Sequence, residues 1–135
     1  MSAARGPGPR ALRRSETDVR TDSATIGSSG PDSPYVAPAV EVFAMLADAT
    51  RVRLILALLE GEMPVGALAE TVDKPVPAVS QHLAKMRLAA MVASRQEGNR
   101  VFYRLINDHA ARLVLEAVHQ AEHATSASPS HHARD

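Results

Sequence analysis

Apolar positions recur with a helical period from residue 40 to residue 88, then alternate as in a strand near residue 103. Val40, Phe43, Leu46 and Ala47 predict a first helix over 37–47. Asp48 stands at an N-cap position ahead of Val52, Leu54, Ile55, Leu58 and Leu59, and Gly61 ends that second helix. Val65, Leu68, Ala69 and Val72 predict a short third helix. Asp73-Lys74-Pro75 makes a turn, and Pro77 suits the first turn of a fourth helix reaching Leu88. Val92–Ser94 and Val101–Leu105 predict two strands, joined by a hairpin turn at Gln96-Glu97-Gly98-Asn99. Val101, Tyr103 and Leu105 share one strand face, Phe102 and Arg104 the other. Asn107 or Asp108 caps a last helix that runs to about His123. The order α-α-α-α-β-β-α describes a mainly α fold with a small β-hairpin. It is a helix-turn-helix followed by a β-wing and closed by a final helix.

Residues 1–34 are rich in Gly, Pro, Ser, Arg and Asp and poor in large apolar side chains. Such a segment cannot offset the entropy of ordering, so it predicts a disordered N-terminal extension. The folded domain is then 35–124, followed by a small, polar and flexible tail over 125–135 that ends in His131-His132-Ala133-Arg134-Asp135. A domain of that size has a small core and gains stability by pairing with a second copy. The chain has no cysteine, which excludes disulfides, thiolate metal sites and cysteine catalysis and fits a reducing cytoplasm. No apolar run resembles a signal peptide or reaches the length of a membrane span.

Formal net charge is zero, but the charges are unevenly placed. Over 35–73, Arg51 and Arg53 face Glu41, Asp48, Glu60, Glu62, Glu70 and Asp73, a net of −4. Over 74–104, Lys74, Lys85, Arg87, Arg95, Arg100 and Arg104 face Glu97 alone, a net of +5. A local basic block of this kind is what a small reader of double-stranded DNA presents to phosphates. In the fourth helix Val79, Leu83 and Met86 form the buried stripe. Ala78, Gln81 and Lys85 then point away from the core, with Ser80 at the margin. Gln pairs in bidentate fashion with adenine, and Ser and Lys reach base edges or phosphates. His82 lies nearer the core, as a structural residue or an edge contact. Arg95 and Arg100 flank the tip of the wing, where a phosphate or minor-groove contact is expected.

Five of the six histidines, His109, His119, His123, His131 and His132, fall in the last 27 residues, with Glu122 beside them. Imidazoles and a carboxylate without sulfur suit first-row divalent metals. His109 and His123 are 14 residues apart, about 21 Å along a straight helix. One ion cannot bridge them within one helix, because metal–ligand bonds are roughly 2 Å. Two last helices running antiparallel in a dimer bring His109 of one chain to Glu122 and His123 of the other. The tail then folds back to add His131 and His132. The stripe Ala110, Leu113, Val114, Ala117, Val118 and Ala121 supplies small side chains for such a symmetric helix contact. His119 points in a different direction from His109. A metal hydrolase is the rival of another class, but no nucleophile or substrate pocket is visible in the chain.

Leu46-Ala47-Asp48-Ala49-Thr50-Arg51, Val79-Ser80-Gln81-His82-Leu83 and Val101-Phe102-Tyr103-Arg104-Leu105 resemble the ArsR/SmtB family of metal-sensing repressors. The resemblance implies a homodimeric winged helix that releases operator DNA on binding its inducer, commonly to control an efflux gene. Family members for arsenic and cadmium use cysteines, which this chain lacks. The zinc- and cobalt-type pattern Asp-x-His with His-x-x-His reads here as Asn107-Asp108-His109 and Gln120-Ala121-Glu122-His123. The nickel- and cobalt-sensing members are more similar. Their ligand positions fall on His109, Glu122, His123, His131 and His132. The expected function is thus a repressor released from its operator by nickel or cobalt. A relative sensing zinc or a non-metal signal is the alternative.

Overall fold

The computed structural model describes residues 29–126. The predicted extension up to residue 28 lies outside the described residues, as does the tail from residue 127, including His131 and His132. The chain divides into two units at Phe43/Ala44. Helix α1 (Val36–Leu46) crosses that division. In the first unit Val36, Val40 and Phe43 lie at i, i+4 and i+7, and all three are exposed.

In the second unit Asp48 caps α2 (Ala49–Ala57) from extended backbone, its carboxylate accepting the Arg51 N–H at 3.0 Å. That hydrogen bond is the main reason its carboxyl titrates below the usual range. Leu58–Glu60 tightens into a 3₁₀ turn, and Gly61 ends it at φ 134, a conformation that side chains rarely tolerate. Strand β1 (Met63–Pro64) follows directly, then α3 (Val65–Val72) and α4 (Val76–Leu88). Strands β2 (Val92–Glu97) and β3 (Arg100–Leu105) form the wing, and α5 (His109–Ser126) closes the chain. The sheet order is β1-β3-β2, with both pairs antiparallel. Proline is tolerated in β1 because that strand lies at the sheet edge.

Two helix ends use the same device. After α3, Lys74 N–H donates to Ala69 C=O and Asp73 N–H to Glu70 C=O, with Asp73 left-handed at φ 57. After α4, Met91 N–H donates to Met86 C=O and Ala90 N–H to Arg87 C=O, with Ala90 at φ 61. Both are Schellman closures, in which glycine is the usual left-handed residue. Alanine there clashes through its Cβ and has no polar side chain to compensate. Ala90→Gly is therefore expected to raise stability by about 0.5–1 kcal/mol, net of the glycine entropy cost. Urea denaturation measures it, and unchanged or lower stability would contradict the strain.

Leu54, Ile55, Leu68, Val79, Leu83, Met86 and Val92 are fully buried and tie α2, α3, α4 and β2 into one core. Tyr103 and Leu105 pack against it from β3, as their shared face predicts. Two expectations change. The wing is longer than expected, and the loop is only Gly98-Asn99, because Gln96 pairs with Val101 and Glu97 with Arg100. Helix α5 is also not left for a partner alone. Ala110, Ala111 and Val114 are buried, and Val118 packs against the same core. Only Leu113, Ala117 and Ala121 of the predicted stripe remain exposed.

Candidate nucleic-acid interface and metal-ligand helix

The turn between α3 and α4 sets the reading helix. Pro75 precedes it in extended backbone and Pro77 lies in its first turn. Burial of Val79, Leu83 and Met86 fixes its rotation. Gln81 and Lys85 are then exposed, with Ala78 and Ser80 half-buried beside them. His82 turns inward. Arg51 of α2 donates Nε–H to His82 Nδ1 at 3.0 Å, and its Nη1 donates to the Met45 carbonyl at 3.2 Å. Nδ1 is the accepting nitrogen of the His82 ring in this bond. His82 thus braces the reading helix against α2.

Lys74 enters the sequence reading only as part of the basic block and is not among its named DNA contacts, yet it borders one surface hollow with Pro75, Val76 and the wing residue Arg100. Its position in the turn just ahead of α4 is the signal that could have marked it. Among the described residues Lys74, Lys85 and Arg100 make no ion pair. Arg100 lies over the Phe102 ring, 5.1 Å from its centroid.

Arg95 is differently placed. Its Nε and Nη2 donate to the two oxygens of Glu62 at 2.8 Å each, and its Nη1 donates to Glu97 at 3.0 Å. Its guanidinium also lies 4.5 Å from the Phe102 centroid. The Arg95 hydrogen bonds hold the Glu62 carboxyl below its ordinary range, and the two carboxylates push the guanidinium further up. The sequence places Arg95 beside the wing tip, where a phosphate or minor-groove contact is expected. The structure shows it committed to two carboxylates.

At the start of α5, Asn107 Oδ1 accepts the His109 N–H at 2.9 Å, which makes Asn107 the capping side chain. The His109 imidazole is exposed, its Nδ1 3.9 Å from the Asp108 carboxylate. Glu122 and His123 are exposed near the other end of the same unbroken helix. His119 borders one shallow hollow with His109 and Glu116, but ten residues of helix separate the two positions by about 15 Å along the axis. Among the described residues no three His, Asp or Glu side chains converge within one chain. The donor chemistry suits a first-row divalent metal, but the spacing does not let one subunit hold it with these residues alone.

Residues 48–94 match the family described as "Bacterial regulatory protein, arsR family". The HTH-type transcriptional regulator KmtR of Mycobacterium tuberculosis is 53% identical over 107 residues, covering 77% of this chain and 82% of that protein. The chain belongs to the ArsR family. An ArsR-family winged helix is a transcription regulator rather than an enzyme, and its helix-turn-helix implies DNA as a partner. A second relative, the HTH-type transcriptional repressor SmtB of M. tuberculosis, is 36% identical over 91 residues, covering 67% of each chain. A homodimeric winged helix-turn-helix DNA-binding domain from Mycobacterium bovis has the same fold, with a TM-score of 0.61 at 24% identity. It covers 74% of this chain and 96% of that one. No helix among the described residues is long and apolar enough to cross a membrane.

Proposed function

We propose that this chain is a homodimeric, metal-responsive transcriptional repressor, bound to its operator when metal-free and released by nickel or cobalt. The observation that carries the reading is the arrangement of α5. It is one helix placed after the wing, with His109 exposed at one end and Glu122 and His123 exposed at the other. Antiparallel pairing of two such helices, along the exposed Leu113, Ala117 and Ala121, joins opposite ends into two symmetric sites. His131 and His132 of the tail complete each ligand set. Four imidazoles and a carboxylate suit an ion that takes five or six ligands, whereas zinc is satisfied with four. The relatives support a repressor of this kind by name: SmtB, the arsenical resistance operon repressor of Escherichia coli, and an antimony-specific repressor.

The DNA side is the exposed face of α4, with Ala78, Ser80, Gln81 and Lys85, joined by Lys74 and Arg100. Coupling between metal and DNA sites of about 1–3 kcal/mol is enough, and it is reciprocal, so bound operator weakens metal binding in turn. The test uses metal-free protein on a fluorescent operator duplex, titrated separately with nickel, cobalt and zinc while anisotropy is followed. Release by nickel and cobalt is expected. No release by any of the three would leave the histidines idle and reject the metal reading.

A further inference from the structure

Arg95 and Phe102 are direct cross-strand partners, so their side chains share one face of the wing, and Arg100 lies two residues before Phe102 on that face. Both guanidiniums lie over that ring, 4.5 and 5.1 Å from its centroid. Their electrostatic states differ. All three Arg95 nitrogens donate to carboxylates, two to Glu62 and one to Glu97, while Arg100 makes no ion pair among the described residues. Bidentate guanidinium–carboxylate geometry is the strong form of this interaction, and it matches what a phosphate would offer. Glu62 immediately precedes β1, and the pairing of Met63 with Tyr103 places it at the wing from 33 residues away in sequence. With Glu62 and Glu97 present, Arg95 and Arg100 together contribute no net charge at this face.

We propose that Glu62 and Glu97 withhold Arg95 from nucleic acid, making Glu62 an affinity-setting residue of the wing although it lies outside both the hairpin and the reading helix. The carboxylates occupy the donors a phosphate would use. Wing contact with the backbone then runs through Arg100, and binding to arbitrary sequence is kept weak. This rests on the DNA-binding reading of the winged helix.

The test compares parent, Arg95→Ala, Arg100→Ala, the double variant Glu62→Gln/Glu97→Gln, and that double variant carrying Arg95→Ala. Each is bound to a fluorescent random-sequence duplex over a range of salt. The double variant is expected to bind more tightly. Its gain should shrink about 3-fold between roughly 50 and 200 mM salt, the dependence of one added phosphate contact. Adding Arg95→Ala should abolish that gain. Arg95→Ala alone should change affinity far less than Arg100→Ala. A wing merely loosened by losing its carboxylates would bind more weakly, without the steeper salt dependence. Weaker or unchanged binding by the double variant, or equal losses from Arg95→Ala and Arg100→Ala, would overturn the proposal. If the parent bound no duplex, the DNA-binding reading would fall with it. If the parent bound and the variants behaved alike, this inference alone would fall.

Discussion

A mixed dimer pairing a His109→Ala subunit with a His123→Ala subunit is expected to bind one tight nickel ion, where the parent dimer binds two and each homodimeric variant none. The expectation follows from α5 as a single helix from His109 to Ser126. Fourteen residues at 1.5 Å rise separate His109 from His123 by about 21 Å within a chain, far beyond the span of one ion's ligands. If each site joins His109 of one chain to Glu122 and His123 of the other, the two lesions in the mixed dimer fall on the same site. The second site keeps its full set. If each site lay within one chain, one lesion would fall on each and neither would stay intact. Two affinity tags purify the mixed dimer, and competition with a chromophoric chelator counts its tight sites. A mixed dimer with no tight site, beside a parent with two, would reject the shared arrangement.

Where a residue's role follows from its local period, sequence and structure agree. Val79, Leu83 and Met86 are all fully buried, and that alone sets which way Gln81 and Lys85 face. Asp48 caps α2, and Tyr103 and Leu105 turn to the core, for the same kind of reason. What escaped the sequence depends on partners distant in the chain. β1 is two residues long and includes a proline, so nothing local marks it as a strand; only β3 makes it one. Nothing near Arg95 in sequence announces Glu62, which that pairing brings beside it. The outer wing residues Gln96 and Glu97 have no apolar alternation, and pairing with β3 extends the ladder through them. The left-handed turn at Ala90 carries no glycine to announce it. Helix α5 has an inner face because α2 offers it a surface, which periodicity on α5 cannot reveal.

The second large effect is expected at Gln81. Its side chain is exposed on the reading helix, one turn before Lys85 and opposite the stripe that rotates the helix onto the core. An amide there can donate to and accept from one adenine edge, and its loss should cost roughly 1–3 kcal/mol of discrimination. Gln81→Ala is therefore expected to lower affinity for operator while leaving affinity for random duplex nearly unchanged. Arg100→Ala should show no such selectivity. It removes a cation free to meet phosphate, so operator and random DNA should weaken together, with a salt slope shallower by about 0.9. Neither change touches a buried side chain, so thermal melting should stay close to the parent and separate a reading defect from a folding one. The same anisotropy assay on both duplexes decides the roles. Equal losses on operator and random DNA from Gln81→Ala would make it a backbone contact. Loss confined to operator from Arg100→Ala would move sequence readout from the helix to the wing.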